Sequence, residues 1–341
     1  MAYTFSIIGC QHPHMNIFIN EMLDLGHTCA GIYDSEPQYL ANSVARQFNV
    51  PMFEDKEQML SPGVDIVGCG GVYSEKIDVI ELCEQHGKHV MVDKPAVTNK
   101  ADLVRLENVI ARGKIQVGML LTERFRPAIA TLKEQIRKGR LGELVSLSFR
   151  KPHRLKPATR PDWFFTYHHS GGIAVDLLVH DFDLLRWLAD AEVKDVHGYM
   201  TKSMLPQYPE FYDAISVQVG MDNYVTASLY ADWHYPESSW TWGDCRIYAT
   251  GTKGTAELRL EGDPLIDSAS ELFLSVGNGK PYTREEPLLP TLPISEDFIN
   301  RIEGHSSVLT HDDILAATRA SLVTDANVAK IDRTPNLPLE R

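Results

Sequence analysis

Tyr3-Thr4-Phe5-Ser6-Ile7-Ile8-Gly9 is a short apolar run ending on glycine. Cys10-Gln11-His12-Pro13-His14 leads from it into a helical pattern through Ile17, Phe18, Met22 and Leu25 that stops at Gly26. Strand, turn and helix is the opening of a nucleotide-binding unit. A second apolar strand over residues 28–33 ends at Asp34, about 20 residues downstream of the turn, where a dinucleotide fold places its ribose-binding acid. Asp34 or Ser35 equally suits the cap of the next helix, with Pro37 in its first turn, and the two roles are compatible. The alternation continues with a helix over 41–48, a strand over 64–69, a helix over 76–85, a strand over 89–92, a helix over 100–112 and a strand over 115–120. Apolar strands alternating with helices imply a doubly wound parallel sheet covered on both faces.

After Leu121 the grammar changes. Segments 144–149, 214–219, 224–230, 245–250 and 255–260 alternate polar with apolar residues, and turns at 220–223 and 251–254 join two pairs of them as hairpins. That pattern predicts a large, mostly antiparallel open sheet with one face on a core. Helices follow over about 296–303 and from His311 after a Thr310 cap, and loops are expected at 203–211 and 277–293. The fold class is therefore α/β, with a dinucleotide-binding domain over 1–121 and a substrate-binding α+β domain over 122–341.

Hydrophobic content of 43% and charged content of 23% fit a globular protein, and the net charge of −13 disfavours nucleic acid or anionic membrane as partner. The five cysteines show no C-x-x-C spacing, which argues against a disulfide framework and a structural zinc site. The N-terminal residues lack a basic leader and no apolar run approaches about 18 residues, so a cytoplasmic location is expected.

Residues 170–188 read as one helix, opened by Gly171-Gly172 and apolar around most of its circumference. Asp176, His180 and Asp183 interrupt that surface at spacings of four and three, which stacks them on one face. A satisfied buried His–Asp pair and a reacting group both explain the stripe, since buried carboxylates need a use or a partner.

These residues resemble the Gfo/Idh/MocA family of nicotinamide-dependent sugar and polyol enzymes. The resemblance rests on Gly87-Lys88-His89-Val90-Met91-Val92-Asp93-Lys94-Pro95, on Arg124-Phe125-Arg126-Pro127, on Gly139-Arg140-Leu141-Gly142, and on Gly171-Gly172 followed by Asp176, His180 and Asp183. It implies a Rossmann domain carrying NAD or NADP, a second domain whose open sheet serves oligomer contacts, and Lys94, Asp176 and His180 as the catalytic group between them. Oxidising a secondary alcohol needs a base for the hydroxyl proton and a cation beside the developing alkoxide, which suits His180 and Lys94, with Asp176 orienting the ring or sharing the proton. The chain departs from the family at the first turn, where only Gly9 of G-x-G-x-x-G survives and Pro13 has no amide hydrogen. A strand-end segment is likewise replaced by Gly70-Gly71-Val72-Tyr73. The expected cofactor contacts are Gly9, Gln11, His12, Asp34, Gly70, Asp93 and Lys94. NAD is expected over NADP, because Asp34 accepts from a 2'-hydroxyl and no arginine follows it closely. His12 and His14 as metal ligands are the lesser alternative, because no acid stands near them in sequence, and no metal is expected.

Residues 151–169 gather basic and aromatic side chains in an acidic protein, and His153, Arg154, Arg160, Trp163 and His168 are the expected substrate contacts. A loop that merely covers the core is the plainer reading. Three functions remain open at this point. They are a NAD-dependent dehydrogenase of a sugar, polyol or sugar acid, a redox-neutral lyase or epimerase on a similar carbohydrate, and a non-catalytic carbohydrate sensor. The expected partners are a small, neutral or anionic carbohydrate and further copies of the chain, as a homodimer or homotetramer.

Overall fold

In the computed structural model, residues 2–35, 39–263, 271–288 and 292–333 are described. The chain begins with β1 (Thr4–Cys10), α1 (Met15–Asp24), β2 (Thr28–Tyr33), α2 (Tyr39–Phe48), β3 (Met52–Phe53), β4 (Ile66–Gly70), α3 (Lys76–Gln85), β5 (His89–Val92), α4 (Lys100–Arg112) and β6 (Val117–Met119). These strands form a six-stranded parallel sheet in the order β3-β2-β1-β4-β5-β6. Phe5, Ile7, Ile66, Val67, Val90 and Val92 are fully buried, as expected of strands covered on both faces. On α1, Met15, Phe18, Ile19 and Met22 form the buried stripe.

The chain continues with α5 (Pro127–Arg137), β7 (Leu144–Pro152), α6 (Tyr167–Ser170), α7 (Gly172–Asp176), α8 (Leu178–Ala189), β8 (Val193–Lys202), β9 (Ala214–Met221), β10 (Thr226–Asp232), β11 (Arg246–Gly251), β12 (Gly254–Arg259), β13 (Leu272–Gly277), β14 (Lys280–Glu285), α9 (Ile294–Ile302), α10 (His311–Asn327) and β15 (Ala329–Asp332). A nine-stranded sheet runs β14-β13-β12-β11-β7-β10-β9-β8-β15 and is antiparallel except at β7–β10 and β8–β15. Along β9, Ile215, Val217, Val219 and Met221 are buried while their neighbours face outward, which is the period of a sheet with one face on a core.

Two compact units emerge. The first comprises Met1–Thr122, His168–Gly171 and Leu292–Arg319, and the second Glu123–Tyr167, Gly172–Thr291 and Ala320–Arg341. Three expectations change. The helix expected over 170–188 divides at Gly171, with φ +75°, and again at Leu177, whose φ of −98° opens the turn although its N–H still reaches Ile173 O at 3.0 Å. The loop expected over 277–293 contains β14, and its residues 289–291 lie outside the described residues, as does Pro37. β3, β8, β13 and β15 carry no signal that the sequence reading used.

Two glycines set the end of the first sheet. Gly9 has φ +79°, and a Cβ there would stand 2.5 Å from Gly71 Cα, while one at Gly70 would stand 2.3 Å from Met15 Cγ. The turns after β1 and β4 therefore meet backbone to backbone. We expect Gly9→Ala to lower stability by about 1–3 kcal/mol through the left-handed conformation alone, with the backbone clash adding to it. Urea unfolding of the variant beside the parent chain measures this.

Candidate active site

In the first unit several of the candidate side chains gather at the C-terminal ends of β1 and β5, where doubly wound sheets bind ligands. Gly70-Gly71 ends the intervening β4 without side chains, so the turns on either side can meet over it. Asp93 is fully buried there. Its Oδ1 lies 2.9 Å from His14 Nδ1 and its Oδ2 lies 3.0 Å from His12 Nδ1. Burial works against the Asp93 charge, but His12, His14 and the Lys76 ammonium hold the carboxyl well below the usual range. Burial also pushes His12 down to about 4, against the pull of Asp93, so its ring is neutral at pH 7.

Lys94 follows Asp93 and is buried, at 4% exposure. Its backbone is pinned by Lys76, a fully buried lysine that the sequence reading overlooked. Lys76 Nζ donates to the carbonyls of Asp93 at 2.9 Å, Lys94 at 3.3 Å and Pro95 at 3.2 Å, and lies 4.1 Å from the centre of the Tyr73 ring. The signal was present, because Lys76 shares a helix face with Ile80 and Cys83, both buried. Asp34, at the end of β2, is buried and accepts from Gln11 Nε2 at 2.8 Å. The amides of the first turn are largely engaged: Gln11 N–H reaches Gly70 O at 2.8 Å, and His14 N–H reaches His12 Nδ1 at 3.4 Å. His168, expected among the substrate contacts, belongs to this unit and packs at 4.9 Å on His169, which meets Ser74 Oγ at 3.0 Å.

In the second unit, Asp176 is buried and His180 half-buried on consecutive helices. Asp183 takes part in a different contact, a bidentate pair with buried Arg124 at 2.6 and 2.8 Å. Beside His180 lies a charged group that sequence spacing did not reveal. Lys151 Nζ stands 2.8 Å from Asp181 and 3.1 Å from Glu123. Burial opposes the Lys151 charge, yet Asp181 and Glu123 hold its pKa above the ordinary lysine value. Burial would raise Glu123 too, but Lys151, Arg126 and His180 keep it below the usual carboxylate range. Burial pushes Asp181 up to about 6, against Lys151.

The expected substrate rim is partly tied up in packing. Arg154 donates to the carbonyls of Thr241, Trp242 and Glu237, fastening that loop. Arg160 donates to Leu155 O and stacks over Phe164 and Trp233 at 4.4 and 5.1 Å. His153 packs on Trp233 at 5.6 Å, and Trp163 packs on Phe164 at 6.1 Å. Trp233, unremarked in the sequence, is thus the hub around which His153, Arg160 and Phe164 assemble.

Residues 4–119 match the family profile described as an oxidoreductase family with NAD-binding Rossmann fold, and residues 129–257 match the GFO/IDH/MocA C-terminal domain. The scyllo-inositol 2-dehydrogenase (NAD(+)) of Bacillus subtilis is 29% identical over 222 residues, 63% of this chain and 61% of that protein. The myo-inositol 2-dehydrogenase of Thermotoga maritima is 28% identical over 148 residues, 42% of each, so the chain spans about half the length of the curated relatives it matches. The crystal structure of aldose-aldose oxidoreductase from Caulobacter crescentus has the same fold, with a TM-score of 0.78 at 20% identity, covering 96% of this chain and 98% of that one.

The buried Lys151 group yields a stability test. Lys151→Met leaves Asp181 and Glu123 without their shared cation, which for a broken buried pair costs about 3–5 kcal/mol. In the variant the Asp181 pKa lies above its unfolded value, so stability falls as pH rises through that interval and recovers on acidification. Chemical unfolding at pH 5 and pH 8 should show the larger deficit at pH 8.

Proposed function

Because the chain belongs to the Gfo/Idh/MocA family of oxidoreductases, we propose that it oxidises a secondary hydroxyl of a sugar, polyol or sugar acid, with Lys94, Asp176 and His180 as the catalytic group. The observation that carries this reading is the fixing of Lys94 at the end of β5 by the buried Lys76 ammonium. A positioned, partly desolvated cation is what a developing alkoxide needs.

The residues present fit a nicotinamide dinucleotide. Asp34 stands at the end of β2 with Gln11 holding its carboxylate in place, which suits a ribose 2'-hydroxyl. Gly9, Gly70 and Asp93 shape the neighbouring strand ends, and Gln11 and His12 present side-chain groups to a diphosphate where the turn amides are engaged. When bound, the nicotinamide supplies the hydride acceptor. His180 takes the hydroxyl proton. Asp176, one helical turn away, holds the imidazole in orientation, and the charged group of Glu123, Lys151 and Asp181 sets the field around it. His153, Arg160 and Trp163, arranged with Trp233, are the substrate contacts we favour, with Arg154 fastening the loop behind them.

The protein acts in the cytoplasm as a homodimer or homotetramer on this reading. Tyr199, Tyr230 and Tyr248 stand on the outward face of the nine-stranded sheet, which supports self-association there. A redox-neutral lyase or epimerase using the same three residues is favoured by one observation, the engagement of the first-turn amides.

Two measurements test the proposal. His180→Asn should reduce turnover per folded molecule about a hundredfold or more and Lys94→Ala should depress turnover more than dinucleotide affinity, with inositols and aldoses as trial substrates. Normal turnover in either variant removes that residue from the mechanism. In direct titration NAD should bind about tenfold or more tightly than NADP, because the Asp34 carboxylate repels a 2'-phosphate. Equal affinities would deny Asp34 that role, and no binding of either would favour the redox-neutral reading.

A further inference from the structure

We propose that His12, His14 and Asp93 form a binding site for one divalent transition-metal ion of the zinc type. This goes beyond the oxidoreductase reading and does not depend on it. Among the described residues, these three are the group whose ligand atoms lie close enough together, all within 4.8 Å, to meet at one ion. Asp93 lies 79 residues beyond His14, and the β1-β4-β5 order brings the three together over the side-chain-free Gly70-Gly71. An acid absent from the neighbourhood in sequence is thus supplied by the fold.

Asp93 is fully buried, and its Oδ1 hydrogen-bonds with His14 Nδ1. Its Oδ2 is buried and meets no aligned hydrogen-bond donor, although His12 Nδ1 is only 3.0 Å away. That same Nδ1 also lies 3.4 Å from the backbone N–H of His14, which it accepts in the tautomer that carries its proton on Nε2. In that tautomer the Nδ1 lone pair and the buried Oδ2 stand 3.0 Å apart, and an electropositive ion between them satisfies both. A metal ion does so. Nitrogen and oxygen ligands about 2.0–2.2 Å from one ion stand about 3 Å from each other, so the spacing is that of two ligands on a shared metal. The His12 and His14 rings stand edge to face at 84° with centroids 4.2 Å apart, each turning Nδ1 to the same carboxylate.

The donor set selects the ion. Two imidazole nitrogens and one carboxylate oxygen suit zinc and its first-row neighbours, whereas magnesium and calcium take oxygen donors. Three protein ligands leave coordination positions for water or for an oxygen atom of a bound ligand, as in reactive rather than structural zinc sites. His14 is half-exposed, which gives the ion a way in.

The test uses the full chain, stripped with a chelator and dialysed, then titrated with zinc and separately with cobalt. One ion per chain at micromolar concentration is expected, with visible cobalt absorption. His12→Gln and His14→Gln should each weaken binding about a hundredfold or more, which is at least the effect of losing a residue that merely orients a ligand. His234→Gln is the control, because His234 meets Asp213 at 2.9 Å through a lone imidazole, and its loss should leave zinc binding unchanged. X-ray absorption at the zinc edge of the unmutated protein, which needs no variant to fold, should show a nitrogen and oxygen shell with imidazole scattering and no sulfur. Failure to bind one equivalent, binding that persists in both histidine variants, loss in the His234 control, or a shell containing sulfur would each overturn the proposal.

Discussion

A fully buried ammonium governs the first unit. Lys76 has no solvent around it, and an unpaired charge in such a place is prohibitively costly. Three successive carbonyls and the face of Tyr73 make it tolerable, and in return those carbonyls are gathered at one point. The turn carrying Asp93 and Lys94 is therefore held from within the protein by a helix, and its outer side is left to chemistry. The second unit repeats the device with carboxylates. Lys151 sits between Asp181 and Glu123, and the charge so neutralised lies beside the half-buried His180.

Much of the fold was legible because its elements are long or strongly periodic. α3 and α4 have the bounds that their apolar spacing predicts, and β2 and β5 are short, mostly apolar segments between turn residues. The hairpins β9–β10 and β11–β12 followed from alternation and their glycine-bearing turns. What escaped was short or depended on distant partners. β14, with Pro281 and a run of polar residues, is a strand only because β13 pairs with it, and β15 only because β8 does. The division of the helix at Leu177 has no glycine or proline to announce it.

The site was legible by residue type more than by arrangement. Asp176 and His180 stand out as polar groups on an apolar helix, but the same reasoning gave Asp183 to their face, and its place is with Arg124, 59 residues earlier. Local spacing cannot see such a partner. Arg154 and Arg160 read as free forks for an anion, yet both cover aromatic faces and bind carbonyls of their own loops, which a composition argument has no means of distinguishing.

The first turn shows how one substitution of means alters the chemistry of a sheet end. A glycine-rich turn leaves its amide hydrogens pointing outward, so an anion is met by backbone dipoles. Here the Gln11 amide turns inward to Gly70, Pro13 has none to offer, and the His14 amide is taken by His12. The backbone contribution is consequently replaced by side chains: two imidazoles and a carboxylate within reach of one another, with the Lys94 charge close enough to be felt by His12. Dipoles fixed in the main chain favour anions whatever else is bound. Side-chain nitrogens and a carboxylate act through protons or ions, so whatever this end of the sheet recognises depends on what stands between His12 and Asp93.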